Sequence, residues 1–360
     1  MPRAPAAAGP VFQDGREVHM DRKFRVAVVG ATGLVGETMI SVLEERDFPV
    51  AQLYALASER SLGRSVSFRG RSYPVRELKT FDFAQCDFAL FSAGAAVSRE
   101  HVPRALAAGC LVIDNTSEFR YREDVPLVVP EVNPQALARI GASGIIANPN
   151  CSTIQLVVVL KPLYDAAGIE RIDVATYQSV SGAGRAALEE LARQSIAALS
   201  GKGPIETAGD AKQLAFNCVP HIDVFQDNGY TREEMKIVWE TRKILGDPEL
   251  RVNATAVRVP VFYGHSEVVH ITTRRPLSAD SARELLRNAP GVTVLDEPRL
   301  GGYPTAATEA ANRDTVYVGR IREDLAPDRG LNLWVVADNV RKGAATNSLQ
   351  IAETLARRPI

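Results

Sequence analysis

A short segment near the start of the chain restricts the fold more than any other. Phe24–Val29 favours a β-strand, and the glycine-rich turn Gly30–Gly36 follows it at once. Apolar residues then recur at helical spacing, at Val35, Met39, Val42 and Leu43. This unit is typical of dinucleotide binding, because the glycines let the backbone turn tightly and approach a pyrophosphate. The spacing is GxxGxxG, not the strict GxGxxG, but the flanking strand and helix favour a cofactor site over a plain turn.

A polar turn after the second predicted strand, Ala51–Ala57, bears on the choice of cofactor. At this point NAD-binding proteins carry an acidic residue for the ribose 2′-hydroxyl, whereas NADP-binding proteins use an arginine for the 2′-phosphate. Arg60, flanked by the hydroxyls of Ser58 and Ser61, therefore favours NADP. Glu59 argues for NAD unless it faces outward, as alternate residues of an extended segment do. A plain polar surface turn is the alternative.

Further apolar runs alternate with helical stretches, which predicts a Rossmann-like, doubly wound parallel α/β sheet over residues 24–150. The runs are Phe88–Phe91, Cys110–Ile113 and Leu127–Val129, with a helical stretch at Arg99–Ala108. Ligands of such sheets bind at the carboxyl ends of the strands, where Ser92, Gly94 and Asn115 lie. The residues expected to contact the cofactor in this half are Gly30, Thr32, Gly33, Leu34, Val35, Ser58, Arg60, Ser61, Ser92 and Gly94.

The second half has few simple βαβ units, so we expect a mixed α+β substrate and dimerisation domain with a largely antiparallel sheet, over residues 151–338. The predicted strands are Arg171–Val180, Asn253–Val261, Glu267–Arg274, Val292–Leu295, Thr315–Ile321 and Asn332–Ala337. The predicted helices are Ala186–Ala198, Arg232–Leu245 and Ser278–Asn288. A last helix, Ala344–Arg357 within the segment 339–360, should pack back on the first domain. Residues 1–23, rich in Ala and Pro at their start, are expected to form a disordered tail.

Composition excludes several classes of partner. The 360 residues carry a net charge of −1, which gives no reason to expect nucleic acid or a membrane surface as a partner. No apolar run approaches the roughly 20 residues of a transmembrane helix. The four cysteines, Cys86, Cys110, Cys151 and Cys218, are scattered without metal-binding spacing, so we expect no metal site and a reducing, cytoplasmic setting.

Cys151 is the candidate nucleophile. It lies between an apolar strand, Ile145–Ala147, and a helical stretch, Thr153–Leu160. Free N–H groups and the helix dipole at such a position favour an anion, so we expect a lowered thiol pKa. A buried structural cysteine is the alternative, and the polar neighbours Asn150 and Ser152 argue against it. We interpret the other three cysteines as packing residues.

Two further residues of the second half have an unusual setting. Arg258 is the one charge within the apolar segment Val257–Val261, and a lone charge on such a strand needs a partner. A substrate carboxylate would serve, and an internal salt bridge is the alternative. His265 lies between Gly264 and Ser266, where access and titration near neutrality suit a general base. A surface-turn histidine is the alternative.

Taken together, these segments resemble aspartate-β-semialdehyde dehydrogenases of the bacterial type from Phe24 onward. The motifs that carry the resemblance are Gly30–Gly33, Ser58–Ser61, Asp114–Ser117, Val129–Asn133, Asn148–Thr153, Tyr177–Gly184, Arg258–Val261 and Gly264–Ser266. The cysteine and Tyr177–Gly184 motifs are specific, whereas many unrelated enzymes share the glycine turn. The resemblance implies reversible, NADPH-dependent reduction of β-aspartyl phosphate to aspartate semialdehyde and phosphate, in lysine, threonine, methionine and diaminopimelate synthesis.

The resemblance also implies a role for each site residue. Cys151 would form the thioester, His265 would be the acid/base and Gln178 would orient the substrate. Arg258 would bind the α-carboxylate. The residues implied for phosphate and the remaining substrate groups are Arg120, Asn115, Asn150, Glu233 and Lys236. Those implied for the cofactor are Ser181, Gly182, Gly184 and, on the nicotinamide side, Asn339.

Other functions stay open at this point. N-acetyl-γ-glutamyl-phosphate reductases and related acyl-CoA reductases also use a cysteine thioester on this architecture, but an N-acylated substrate has no use for an amine-binding carboxylate such as Glu233. A catalytically silent NADP-sensing protein would be expected to lack Cys151, Gln178 or His265, and the chain has all three. The resemblance further implies a homodimer or homotetramer.

Overall fold

The computed structural model describes residues 22–140, 144–201, 205–207, 209, 211–325 and 330–357. The predicted tail lies outside them, apart from Arg22 and Lys23. The strands are β1 Phe24–Val29, β2 Val50–Ala57, β3 Ser65–Phe68, β4 Arg71–Glu77, β5 Phe88–Phe91, β6 Leu111–Asp114, β7 Ile145–Ala147, β8 Ile169–Gln178, β9 Arg251–Arg258, β10 His265–Thr273, β11 Val292–Val294, β12 Val316–Glu323 and β13 Gly330–Ala337. The helices are α1 Leu34–Glu45, α2 Ala95–Ala107, α3 Cys151–Ala167, α4 Arg185–Leu199, α5 Arg232–Leu245, α6 Ala279–Arg287 and α7 Asn347–Ala356.

The first sheet has the order β3-β4-β2-β1-β5-β6-β7. All its pairs are parallel except β3 with β4, an edge hairpin that the sequence analysis did not identify. β2 and β5 lie on opposite sides of β1, so the strand order reverses beside the glycine turn that leads into α1. Such a reversal opens a crevice at the carboxyl ends of the strands. The predicted doubly wound α/β fold is confirmed.

The apolar run Leu127–Val129 was expected to be a strand, and that prediction is wrong. Its residues are buried, but only a single parallel bridge joins Leu127 to Ala147. The prolines at positions 126 and 130 flank the run, and proline lacks the N–H that would extend a ladder.

The second sheet has the order β11-β12-β13-β10-β8-β9. Three of its five pairs are antiparallel, in agreement with the predicted largely antiparallel sheet. Helix α3 is buried on all sides from Ser152 to Leu160 because it is apolar nearly throughout. It shares one hydrophobic core with both sheets, and so fixes the position of its first residue, Cys151, between them.

The C-terminal segment returns to the first sheet. A π-helical stretch, Arg341–Thr346, precedes α7, so the helical segment begins three residues before the predicted start. Ala345, Leu349 and Ile351 belong to the same core cluster as the residues of β1. The domain limits drawn from the sequence stay a prediction. Within the described ranges, no helix is both long and apolar enough to cross a membrane.

Candidate active site

The amino end of α3 holds the candidate nucleophile. Asn150 is the N-cap, and its Oδ1 accepts hydrogen bonds from the backbone N–H groups of Ser152 at 3.0 Å and Thr153 at 3.4 Å. Such a cap stabilises a helix by about 1 kcal/mol. Cys151 follows as the first helical residue, so its position relative to the helix axis is fixed by backbone bonding.

Three strand ends of the second sheet meet at the same edge as Cys151. Gln178 and Arg258 are paired as the last residues of the parallel strands β8 and β9. His265 is the first residue of β10, which runs antiparallel to β8, so it lies at the same edge. Chain direction and register therefore bring together three predicted site residues that are widely separated in the sequence.

Cys151 and His265 form a close pair. The Sγ atom lies 3.2 Å from Nε2 of His265, whose side chain is fully buried. The backbone N–H of Ser179 donates to Nδ1 of His265 at 3.0 Å, and the Ser179 hydroxyl lies 3.1 Å from the same nitrogen. Because the backbone N–H can only donate, we assign Nδ1 as an acceptor. The neutral ring then carries its proton on Nε2, facing the sulfur.

The protein environment keeps this pair neutral. Burial and the charge of Glu233 raise the pKa of the Cys151 thiol to about 12, against the smaller opposing influence of Arg120 and Arg258. Burial and the charge of Arg258 lower the pKa of His265 to about 3. The expected lowered thiol pKa and near-neutral histidine pKa are therefore wrong, because desolvation disfavours the charged form of each group.

A carboxylate of α5 faces the nucleophile. A capping box formed by Thr231 and Glu234 starts the helix and sets Glu233 in its first turn. Glu233 Oε1 accepts from Asn150 Nδ2 at 2.9 Å and from Gln178 Nε2 at 3.2 Å. Burial opposes its ionisation, but Lys236 and these amides hold its pKa down, at about 2.

Lys236 lies one turn further along α5, on the same face. Its Nζ is 2.9 Å from Glu233 Oε2 and 2.7 Å from Asp223 Oδ2. The predicted Glu233–Lys236 pair is thus present, but Asp223 was missed by the sequence analysis. It lies in the loop before α5, where no periodicity or motif distinguishes it from other loop acids.

The two site arginines differ in their partners. Arg258 donates from Nη1 to the Ser179 carbonyl at 2.7 Å and has no ion pair with any described residue, so the internal salt bridge considered above is absent there. Arg120 is paired with Glu240 at 3.0 Å and donates to the Asn115 carbonyl at 2.9 Å. Glu240, fully buried and also missed, further accepts from the backbone N–H of Asn150 at 2.6 Å.

These groups line a cleft of about 520 Å³ between the two sheets. The predicted site residues that line it are Val35, Ser92, Gly94, Asn115, Arg120, Asn150, Cys151, Gln178, Ser181, Gly182, Glu233, Lys236, Arg258 and Asn339. His265 lies behind Cys151. Gly184 is not among the lining residues and instead begins α4 as its N-cap. The remaining predicted residues lie further along, at the β1–α1 turn and after β2: Gly30, Thr32, Gly33, Leu34, Ser58, Arg60 and Ser61.

Asn339 links the cleft wall to the surroundings of His265. Its Oδ1 accepts from the hydroxyls of Ser179 at 2.9 Å and Ser181 at 3.1 Å, and from the backbone N–H of Gly264 at 3.0 Å. Asn339 follows β13, whose last residue pairs with His265. This network fixes the backbone just before His265, and it fixes Ser179, which contacts the His265 ring.

The crevice at the β1–α1 turn has the shape that a dinucleotide needs. A Cβ at Gly36 would lie 2.1 Å from the Gly30 carbonyl oxygen, so only glycine allows α1 to pack this closely on the turn. The Thr32 hydroxyl lies 3.2 Å from the Ser61 hydroxyl, which joins the turn to the segment after β2. In that segment the exposed Arg60 has neither a hydrogen bond nor an ion pair with any described residue. A free guanidinium there fits a 2′-phosphate.

One predicted packing residue is placed differently. Cys86 and Cys110 are buried in the core, as expected, but Cys218 is exposed, so its interpretation as a packing residue is wrong. In the portion of the chain that the structure covers, no cluster of three or more His, Cys, Asp or Glu side chains could hold a metal ion.

Two family models match the chain along most of its length. Residues 25–140 match the semialdehyde dehydrogenase NAD binding domain, and residues 160–342 match the semialdehyde dehydrogenase dimerisation domain. A dinucleotide crevice joined to a cysteine in contact with a buried histidine thus belongs to a protein of the semialdehyde dehydrogenase class.

Individual relatives show which family within this class the chain belongs to. Aspartate-semialdehyde dehydrogenase of Legionella pneumophila is 60% identical over 338 residues, which cover 94% of this chain and 97% of that protein. The chain belongs to the aspartate-semialdehyde dehydrogenase family, which confirms the resemblance found in the sequence.

Solved structures agree. A crystal structure of aspartate semialdehyde dehydrogenase II from Vibrio cholerae, complexed with ASA, is 55% identical, with a TM-score of 0.92 over 94% of this chain and 100% of that one. The aspartate semialdehyde dehydrogenase of Candida albicans, solved with NADP, is 28% identical, with a TM-score of 0.72 over 93% of this chain and 98% of that one.

Proposed function

We propose that the protein is an NADP-dependent, phosphorylating aspartate-semialdehyde dehydrogenase. It reduces β-aspartyl phosphate reversibly to L-aspartate 4-semialdehyde with release of phosphate, in the cytoplasmic synthesis of lysine, threonine, methionine and diaminopimelate. The observation that carries the proposal is the Cys151–His265 contact of 3.2 Å at the point where the dinucleotide crevice meets the charged pocket.

The first chemical step is acyl transfer to the cysteine. The Cys151 sulfur attacks the acyl carbon, a C–S bond forms and the C–O bond to phosphate breaks. The thiol proton leaves on the phosphate, as HPO₄²⁻, so the step needs no permanent thiolate. This agrees with the raised pKa of Cys151 and the neutral His265 beside it.

NADPH, when bound, supplies the hydride that reduces the thioester. His265 is placed to act on the thiohemiacetal that results, because its Nε2–H faces the sulfur to which the reacting carbon is bonded. A hydrogen bond from this nitrogen stabilises negative charge on the oxygen in a buried site. Full protonation of the ring would place an N–H on Nδ1, and the Ser179 hydroxyl, 3.1 Å away, is the acceptor available to it. Collapse of the thiohemiacetal oxyanion then breaks the C–S bond and frees the aldehyde, and the sulfur regains its proton from solvent by way of His265.

The charged side chains suit a small amino acid. Arg258 is a cation without an ion pair in the described chain, so it binds the α-carboxylate. Glu233 binds the α-ammonium, with Gln178 orienting the reacting carbonyl beside the thiol. Lys236 and Arg120, with Asn115 and Asn150, bind the phosphate. A buried carboxylate at Glu233 disfavours an N-acylated substrate, because such a substrate has no ammonium to offer it.

The crevice residues would hold NADP. Gly30, Thr32 and Gly33 form the turn for the pyrophosphate at the amino end of α1. Arg60, between Ser58 and Ser61, would bind the 2′-phosphate. Leu34, Val35, Ser92, Gly94, Ser181, Gly182, Gly184 and Asn339 complete the proposed contacts.

The second sheet offers a surface for self-association. Its face away from α3 carries the exposed Tyr177 and Val268 and the half-buried Trp334, on β8, β10 and β13 respectively. Val268 pairs with Trp334, and Tyr177 lies one position further along the same face. The Tyr177 and Trp334 rings are 5.8 Å apart. A contiguous apolar sheet face of this kind suits a two-fold interface. We propose a homodimer through this face, with a homotetramer as the alternative, to be distinguished by light scattering coupled to size-exclusion chromatography.

The deciding experiment is an assay of NADP reduction with aspartate semialdehyde plus phosphate. Wild type should turn over only when phosphate is present, and Cys151→Ala should lose this activity. Cys218→Ala, which alters an exposed cysteine elsewhere, is the matched control and should retain it. No turnover by wild type would reject the substrate assignment, whereas activity in Cys151→Ala would reject the thioester mechanism.

A further inference from the structure

The ammonium of Lys236 is shared by two carboxylates. Its Nζ lies 2.7 Å from Asp223 Oδ2 and 2.9 Å from Glu233 Oε2. An ammonium has three N–H donors, so two are used and one is left for a ligand. The three side chains Lys236, Asp223 and Glu233 together therefore carry one net negative charge before any substrate binds.

The two carboxylates are held in different ways. Glu233 is tied into the site through Asn150 and Gln178, and its side chain is 8% exposed. Asp223 has only Lys236 and the backbone N–H of Val224 as hydrogen-bond partners given for its side chain, which is 29% exposed. Asp223 is therefore the partner on the solvent side of Lys236, next to the cleft that it helps to line.

The backbone fixes Asp223 in this place. Its φ of +69° is in the left-handed region, which residues other than glycine seldom occupy and which recurs at functional sites. The following loop closes on itself through a bridge between Phe225 and Thr231 and leads directly into α5. Burial opposes ionisation of Asp223, but the hydrogen bond and charge of Lys236 hold the pKa of its carboxyl below the usual range.

We propose that Asp223 is a positioning residue that competes with phosphate for the ammonium of Lys236. The inference rests on the proposed function, in which Lys236 binds the phosphate of the acyl phosphate or inorganic phosphate. A phosphate on Lys236 would lie within a few ångströms of the Asp223 carboxylate, and like charges at that distance repel strongly near a protein surface. Asp223 therefore weakens phosphate binding, and it recovers the ammonium when phosphate leaves.

Removal of the Asp223 charge should thus improve phosphate binding, a gain that a merely structural role would not produce. Asp223→Asn keeps the side-chain size and tolerates the left-handed backbone. Lys236 keeps Glu233 as a partner on its own helix, so its position does not depend on Asp223 alone. We expect the KM for phosphate to fall at least about fivefold, with the KM values for aspartate semialdehyde and NADP changed less than about twofold.

The experiment compares wild type, Asp223→Asn, Asp223→Gly and Asp227→Asn in the phosphate-dependent direction, together with calorimetric titration of each protein with inorganic phosphate. Asp223→Gly removes the same charge and suits the positive φ, so it should reproduce the gain even if asparagine disturbs the loop. Asp227 is an exposed acid of the same loop. Its substitution removes one charge and should leave phosphate binding unchanged.

The outcomes separate this inference from the proposed function. Tighter phosphate binding in both Asp223 variants, but not in Asp227→Asn, supports the inference. Phosphate binding that is unchanged or weaker in both variants, with wild type dependent on phosphate and Lys236→Ala impaired for it, overturns the inference alone. A wild-type protein that neither binds nor needs phosphate overturns the proposed function.

Discussion

The cofactor crevice takes most of its residues from two short turns, at positions 30–35 and 58–61, whereas the substrate pocket takes its groups from three strands, two helices and the loops between them, which are far apart in the chain. In the crevice, most of the proposed cofactor contacts come from backbone turns, and the side chain proposed for the 2′-phosphate, Arg60, is exposed and makes no hydrogen bond or ion pair with described residues. In the pocket, nearly every charge is buried and already hydrogen-bonded to another site residue.

This difference determines how each region should respond to change. An exposed side chain without a hydrogen bond or ion pair can be removed with little effect on folding, because no other group loses a partner. A buried charged group that accepts hydrogen bonds from several donors cannot be removed without a loss of stability, because its removal leaves those donors unpaired. Substitutions in the substrate pocket should therefore reduce both activity and stability, whereas substitutions in the cofactor crevice should reduce cofactor binding with little effect on stability.

The strongest test of the coupling is Glu240→Ala. It leaves the Arg120 guanidinium and the Asn150 backbone N–H without their buried acceptor, at 3.0 Å and 2.6 Å respectively. Loss of one partner of a buried ion pair costs about 3–5 kcal/mol, and we expect this loss in the free energy of urea unfolding. Glu249→Ala, which alters an exposed acid just after the same helix, is the control and should cost less than about 0.5 kcal/mol. A small effect of Glu240→Ala would contradict the coupling.

Low pH should lower the free energy of unfolding through protonation of Glu233. Its pKa in the folded protein is about 2, below the ordinary 4.5, so its ionisation stabilises the fold above pH 4.5. That stabilisation, roughly 3 kcal/mol by linkage, is lost as the pH falls from 4.5 through 2. We expect the unfolding free energy of wild type to fall more steeply over this range than that of Glu233→Gln, measured by urea titrations at several pH values. Parallel pH profiles would show that Glu233 adds no such dependence.

Arg258→Ala tests a pocket residue whose charge is not compensated by an ion pair with a described residue. Its loss should raise the KM for aspartate semialdehyde about 10- to 100-fold, because a charge-assisted bond to a carboxylate contributes about 1.5–3 kcal/mol. Steady-state kinetics would measure this, with the KM for NADP little changed. Arg251→Ala, at the exposed start of the same strand, is the control. An unchanged KM for aspartate semialdehyde would remove Arg258 from the substrate site.

The same contrast explains what the sequence could predict. Local patterns identified the crevice turn, Cys151 and His265, because strand, turn and helix signals lie beside each one. Gln178 was identified only through the family resemblance. Asp223 and Glu240 were missed, since their importance comes from contacts made by folding: Glu240 lies 120 positions from Arg120.

The pKa directions predicted for Cys151 and His265 were wrong for the same reason. Position at a helix start can be read from a sequence, but the burial of His265 and the desolvation of the partly exposed Cys151 depend on the packing of α3 between the two sheets. The β3–β4 hairpin was missed because no strong alternation distinguishes its short strands at the sheet edge.

Arg60→Ala should produce the smallest effect on folding and a selective effect on the cofactor. The side chain is exposed and makes no hydrogen bond or ion pair with the described residues, so the unfolding free energy should change by less than about 0.5 kcal/mol. Its charge-assisted bond to the 2′-phosphate contributes about 1.5 kcal/mol or more, so NADP binding should weaken at least about tenfold while NAD binding stays nearly the same. Fluorescence titration with both nucleotides would measure this, with Arg71→Ala as an exposed arginine control. Equal losses for both nucleotides would mean that Arg60 does not select NADP, and a large loss of stability would show that the crevice is coupled to folding as the pocket is.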